Sequence, residues 1–378
     1  MVEPEIYNCH IHTFTTRHVP RDFLKIIFYS DSKWLKWIRW FSWVGVLLSR
    51  LISFQWIAKI VLWIGRRINP FSRYDLFERY ANFFVTSAQK SQEDVFLEIE
   101  KQYPPTAKFI VLPMDMVYMQ LGDIEDDLAS QHDELLKLAE KYSGRIFPFF
   151  AADPRRDGVV NQVRRVLESE EKKFYGVKIY PNLGYSPTDP KLLAIYRLCV
   201  QHDVPVMTHG TYTGAWQYGL SKDQRIAFSH PRNYETILNM EELKNLHLCL
   251  AHFGGGEEWQ KYLKMNEADY RIGDTRAWVK WIADMIRSGD YPNLYTDISY
   301  TIFLPRRNKE HVDFFDYLKV LLTDPRLRER VLFGSDYYVV KRENLTEREV
   351  SIGLRSCLGD QLFFQIAHTN PKAYLGLP

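Results

Sequence analysis

Cysteine is scarce in this chain. Four cysteines in 378 residues, Cys9, Cys199, Cys249 and Cys357, form no C-x-x-C pair. Such spacing excludes a disulfide framework and a cysteine-rich zinc motif, and the four read as buried thiols in a reducing compartment. Charge of one sign is also missing, because 49 Lys and Arg stand against 47 Asp and Glu for a net +2. Nothing in that balance calls for a nucleic-acid partner, which needs a clustered basic surface. There is no internal repeat, no low-complexity tract and no Pro/Gly/Ser linker, so residues 1–378 are expected to form one domain. A strand-like run begins at Glu5, which leaves no room for the charged and apolar regions of a secretory signal. A cytoplasmic protein is the expectation.

What is present is an alternation. Short apolar, β-rich runs occur at 5–14, 107–118, 145–154, 174–181, 204–211, 246–255, 293–300 and 330–339. Most are continuous rather than alternating, the pattern of parallel strands covered on both faces. Segments of helical periodicity lie between them, such as 191–199 and 313–322. Eight strand–helix units predict a (β/α)8 TIM barrel, with an open doubly wound sheet as the alternative. Polar residues discriminate between the two. His10, His12, Lys178, His209, His252 and Asp336 all fall at or near the C-terminal ends of their runs. In a barrel those ends form one mouth, whereas the outer strands of an open sheet lie far apart. The barrel is favoured.

His10 and His12 stand two residues apart on a strand, so both imidazoles project from one face. Imidazole is a common ligand for zinc and related ions, yet two strand histidines are equally well explained by ordinary backbone hydrogen bonds. His209, His252 and Asp336 each end a further apolar run. A lone ionisable group at such a place must be solvated, hydrogen-bonded or ligated. Five at matching strand ends point to a metal site.

Together with Gly176-Val-Lys-Ile-Tyr-Pro181, Ala251-His-Phe-Gly-Gly255, Gly334-Ser-Asp336 and the closing Asn370-Pro-Lys-Ala-Tyr-Leu-Gly-Leu377, these residues resemble the amidohydrolase superfamily. The similarity is to the amidohydrolase-related branch that holds aminocarboxymuconate-semialdehyde decarboxylase and several lactone hydrolases. It runs from residue 5 to the C-terminus, apart from roughly 20–105. The resemblance implies one divalent ion, usually Zn2+, held by His10, His12, His209 and Asp336, with His252 as a nearby acid/base or substrate-polarising group. For Lys178 it implies either a carboxylated bridge between two metals or a free amine that contacts substrate. A lysine paired with an acidic neighbour at the mouth is the plain alternative.

These roles describe hydrolysis of an amide, lactone or other carbonyl substrate. The ion activates water, Asp336 takes the water's proton and passes it to the leaving group, and His252 polarises the carbonyl. Non-oxidative decarboxylation of a carboxylic acid is the second reading, and a catalytically silent barrel that binds a membrane surface or a partner is the third. Asp297 either orients a ligand histidine or serves the fold. Arg306 and Arg307 either clamp a substrate carboxylate or are solvated. His230 is unassigned.

About ninety residues separate the first two strands, far more than one crossover needs, so 20–105 is read as a helical insertion. Residues 32–74 carry eight basic and no acidic side chains, and six of the ten tryptophans: Trp34, Trp37, Trp40, Trp43, Trp56 and Trp63. Removing that +8 from +2 leaves −6 on the rest. The longest uncharged stretch there, Trp40 to Ser49, is ten residues, too short to span a bilayer that needs about 20. A peripheral membrane contact through 34–64, a lid over the mouth and a homo-oligomer interface remain as readings, and the first two imply apolar substrates. Deletion of 34–64 tests the first: it is expected to abolish liposome co-sedimentation, and unchanged sedimentation removes the membrane reading.

Overall fold

The computed structural model describes residues 4–23, 25, 86–171, 173–264, 276–301, 314–337 and 346–378. The 34–64 segment, Arg306 and Arg307 lie outside the described residues. Eight strands follow one another as neighbours, all parallel: β1 (Tyr7–Ile11), β2 (Lys108–Val111), β3 (Ile146–Ala151), β4 (Gly176–Ile179), β5 (Val206–Thr208), β6 (Leu248–Leu250), β7 (Leu294–Asp297) and β8 (Val331–Leu332). Two backbone bonds, Cys9 N to Phe333 O at 2.8 Å and Asp336 N to His10 O at 2.8 Å, tie the chain after β8 back to β1. The fold is a (β/α)8 barrel. Each strand lies inside the apolar run read for it but is shorter, because the polar end of the run turns out of the sheet at the mouth.

Helices cover the outside. Gln92–Glu100 (α1) precedes β2, Leu128–Lys141 (α2) follows it, and Val159–Leu167 (α3) follows β3. The Asp127 side chain caps α2 by accepting from Ser130 N, and the helix buries Leu128, Gln131, His132, Leu135 and Leu138, a 3–4 spacing that makes one apolar stripe. Among the described residues no helix is long and apolar enough to cross a membrane.

Two core layers result. Outward-facing strand residues, Phe109, Val111, Ile146, Val177, Val206 and Leu248 among them, pack under the helices. Inward-facing ones, including Tyr7, Cys9, Ile110, Phe149, Met207, Cys249 and Leu332, fill the barrel. Tyr374 and Leu375 of the C-terminal segment join this inner cluster, and Tyr374 Oη donates to Val206 O at 3.0 Å. The barrel is therefore packed below and polar only at the mouth.

The register of β1 contains one irregularity that matters to the mouth. Asn8 pairs with Phe109 and Ile11 with Val111, so Cys9 and His10 together face the single residue Ile110. This β-bulge resets the alternation: Asn8 and Ile11 face outward, and the histidines at 10 and 12 both face the barrel axis.

His132 illustrates how burial makes this fold pH-sensitive. Its ring sits against Phe150 and Phe174, its Nε2 accepts from Ala151 N at 3.1 Å, and burial lowers its pKa to about 3. A folded-state pKa below the unfolded value contributes stability above the unfolded pKa of 6.5 that is lost as pH falls towards 3. Urea unfolding between pH 7 and 4 is expected to show a smaller loss of stability in His132→Asn than in wild type, by up to about 1.4 kcal/mol per pH unit. Parallel slopes would remove His132 from the account.

Candidate metal centre

The bulge delivers His10 to the axis, fully buried, and its ring is held from β7, two strands away around the closed barrel. Its Nδ1 lies 2.9 Å from Asp297 Oδ2 on β7. A carboxylate there accepts, so Nδ1 carries the proton and Nε2 presents a lone pair. That Nε2 is buried and has no hydrogen-bond partner among the described residues. His12 is set the same way: Nδ1 donates to Leu112 O at 2.6 Å, which leaves Nε2 unprotonated, 3.9 Å from Asp336 Oδ1. Asp336 follows β8 with a left-handed φ of 58°, and its N–H bond to His10 O fixes it beside β1. Donor atoms of His10, His12 and Asp336 lie within 4.8 Å of one another. Two imidazole nitrogens and a carboxylate, one nitrogen of which is an orphan, fit a divalent ion. Burial, then His10 and Lys178, hold the His12 pKa well below its usual value, so this imidazole is neutral at pH 7 and free to ligate.

His209 and His252 continue the row. The His10 and His252 ring centroids are 4.7 Å apart, and those of His252 and His209 are 4.8 Å apart. His209 stacks on Tyr180 at 3.9 Å, and its Nε2 donates to Thr213 O at 2.8 Å. Its Nδ1 is then an acceptor, 3.0 Å from His252 Nε2, which must donate. His252 Nδ1 in turn faces Ser299 Oγ at 2.9 Å. Burial, aided by His10 and Lys178 against the pull of Asp297, lowers the His252 pKa to about 3. Of the residues read as ligands from the sequence, the structure thus gathers His10, His12 and Asp336 in one group and sets His209 against His252. A second group of three donors, His10, His252 and Asp297, shares the first histidine.

Asp297 joins the two groups. Its carboxylate accepts from His10 Nδ1, from His252 N at 3.0 Å, from Ser299 N at 3.0 Å and from the Ser299 hydroxyl. Burial alone would raise its pKa, but the N–H of His10 that points at it, with His252 and Ser299, brings it below the carboxylate range. Lys178, on β4, is buried with no hydrogen-bond partner for Nζ among the described residues, and its pKa falls to about 8 by burial, partly offset by Asp297, Cys249 and Asp336. His230 lies elsewhere: its Nδ1 accepts from Arg232 N at 3.0 Å, capping the helix Pro231–Leu238. Sequence reasoning missed Ser299, Tyr180 and the carbonyls of Leu112 and Thr213. Only Ser299 carried a signal, two residues after Asp297.

Close packing behind His10 offers a test. A Cβ added at Gly334 would lie 2.7 Å from His10 Cβ. Gly334→Ala is expected to weaken divalent-metal binding about tenfold in a titration while the circular dichroism of the protein is kept. Wild-type affinity would mean that His10 does not sit where the ion binds.

Residues 100–377 match the family described as Amidohydrolase. No curated protein matches the chain. Among solved structures, 5-carboxyvanillate decarboxylase from Novosphingobium aromaticivorans, with bound manganese and 3-methoxy-4-hydroxy-5-nitrobenzoic acid, is similar at a TM-score of 0.57 and 13% identity, over 99% of this chain and 97% of that one. The 5-carboxyvanillate decarboxylase of Sphingomonas paucimobilis gives 0.52 and 10% over the full length of both chains. A probable 2-pyrone-4,6-dicarboxylic acid hydrolase of Acinetobacter baumannii, with citric acid bound, gives 0.52 and 10% over 99% of this chain and 100% of that one. At such identities these likenesses speak for the barrel alone. The family match, which covers well over half of the chain and ends with the plug of the barrel, carries the assignment: this chain belongs to the amidohydrolase family.

Proposed function

We propose that the chain is a metal-dependent hydrolase of an amide, lactone or other carbonyl substrate. The observation that carries this reading is the buried, unpartnered Nε2 of His10 beside His12 and the Asp336 carboxylate. Those three residues would hold one divalent ion; His209, a fourth ligand by the family resemblance, has both ring nitrogens hydrogen-bonded and would have to give up its bond to His252 or Thr213 to join them. When bound, the ion supplies a Lewis acid for the carbonyl and acidifies a water near neutral pH. Zinc is the metal we propose, and manganese is the one that the Novosphingobium aromaticivorans decarboxylase carries.

The protein's own groups supply the rest. Asp336 takes the proton of the attacking water on its carboxylate and returns it to the leaving group. Lys178 Nζ, protonated below about pH 8 and without an acceptor among the described residues, donates to the oxygen on which negative charge develops. His252 Nε2, backed by His209 Nδ1, holds a proton at the edge of the same space. A buried, uncommitted ammonium beside the cluster suits an oxyanion, and this favours hydrolysis. It suits a substrate carboxylate too, and with the whole-chain likeness to two decarboxylases this supports decarboxylation as the second reading.

Metal analysis of protein purified under replete conditions is expected to find one divalent ion per chain. Esters and lactones, followed by acid release in a pH-stat, should turn over until a chelator is added. His10→Ala and Asp336→Asn should each lower kcat/KM by about 100-fold or more. Release of 13CO2 from carboxyl-labelled hydroxybenzoates without acid release would replace hydrolysis by decarboxylation. Turnover that survives His10→Ala, or a folded protein that takes up no ion, would overturn both.

A further inference from the structure

On the outer side of β1, opposite the histidines, lies a second polar cluster that the proposed chemistry does not use. Asn8, Ser335 and Glu347 are fully buried there, and Tyr103 nearly so. Asn8 Oδ1 accepts from two backbone N–H groups at once, His10 N at 3.3 Å and Ser335 N at 3.1 Å. Its Nδ2 donates to Ser335 Oγ at 2.7 Å and lies 3.0 Å from Tyr103 Oη and 3.2 Å from Glu347 Oε2. Tyr103 Oη donates to Glu347 Oε2 at 2.6 Å, and Glu347 N donates to Gln102 Oε1 at 2.9 Å. One amide therefore bridges the segment that carries His10 and the turn that carries Asp336, and one carboxylate orients that amide.

Stability is a poor reason for such a cluster. Burial of a carboxyl group costs several kcal/mol unless every lone pair is satisfied, and Glu347 Oε1 has no hydrogen-bond partner among the described residues. A positioning role accounts for it. Asp336 holds a left-handed φ of 58° that a non-glycine residue adopts only when its surroundings over-determine it. Its N–H to His10 O bond fixes one side of the turn, and the Asn8–Ser335 pair of bonds fixes the other.

We propose that Glu347 is a positioning residue that, through Asn8, sets the separation of His10 from Asp336 and so the affinity of the site for a divalent ion. This rests on the reading of His10, His12 and Asp336 as metal ligands. Glu347 touches neither substrate nor ion and acts through Asn8 and its neighbour Ser335.

The test is Mn2+ binding to the full chain, read as free Mn2+ by electron paramagnetic resonance, with the thermal midpoint of the metal-free protein measured beside it. Glu347→Leu removes the acceptor and is expected to raise the Kd at least about tenfold, whereas Glu347→Gln keeps an acceptor oxygen and should stay within about threefold of wild type. A midpoint that falls in Glu347→Leu with an unchanged Kd would overturn the proposal, because a purely structural residue behaves so. Should Glu347→Leu fail to fold, Tyr103→Phe decides: it removes the hydroxyl that bonds both Glu347 and Asn8, and a weakened Kd supports the proposal while a wild-type Kd refutes it. His10→Ala separates the two levels. Mn2+ binding that survives in His10→Ala defeats the metal-ligand reading itself, whereas binding lost in His10→Ala and unaltered in Glu347→Leu defeats only the positioning role.

Discussion

The bond from His10 Nδ1 to the Asp297 carboxylate is the interaction on which the mouth of this barrel depends. It joins strand 1 to strand 7 past the intervening strand 8, and it decides the tautomer of His10. Were Nδ1 not committed as a donor, Nε2 would carry the proton and could not ligate. The same carboxylate accepts from the His252 and Ser299 backbones, so a single buried charge orients two histidines. A carboxylate buried this completely is tolerable only when it accepts from every side. Four donors meet that demand, and the lowered pKa of Asp297 is the electrostatic record of it.

Delivery of His10 to that carboxylate is a property of the strand rather than of the histidine. Regular alternation from Tyr7 would place His10 on the outer face with Asn8, under the helices. The extra residue at Cys9–His10 exchanges the faces, at the expense of one regular ladder pairing. It also leaves Asn8 facing out, where it can be bonded by Glu347 and can bond Ser335. Both polar clusters, one inside the barrel and one behind it, follow from the same bulge. Tight packing serves the same end: Gly334 lets the chain after β8 pass close to His10, where any side chain would collide.

Much of this was legible in the residues alone. Continuous apolar runs ended by a histidine, lysine or aspartate announce barrel strands and their mouth, because period and polarity are local properties of the chain. His10, His12, His252 and Asp336 were legible for that reason, and the structure has them at the strand ends of one mouth. The bulge was not legible, since nothing in Tyr7–His12 marks it. Nor was the direction of each ring nitrogen. His12 is oriented by the carbonyl of Leu112 and His209 by that of Thr213, and a carbonyl carries no residue identity that a sequence could display. Glu347 was invisible because its partner Asn8 lies 339 positions away, a pairing that only the closure of the ring creates.

Where the chain turns at the mouth it departs from relaxed backbone. His252, Phe253, Tyr300 and Asp336 all have positive φ, between 44° and 69°, and none is glycine. Each such residue costs about 1–3 kcal/mol, and persists only where the rest of the structure insists on it. The insistence is identifiable for two of them: His252 N–H is held by Asp297, and Asp336 N–H by the His10 carbonyl. Both anchors lead back to His10, the first through the carboxylate that fixes its ring and the second through its own backbone. Strain after strands 6 and 8 is thus carried by strand 1, whose own position is set by a packed core of Tyr7, Cys9 and Ile110 below it. A fold that stores strain at these donor residues and offsets it in the apolar layer beneath holds the donor atoms at a fixed spacing.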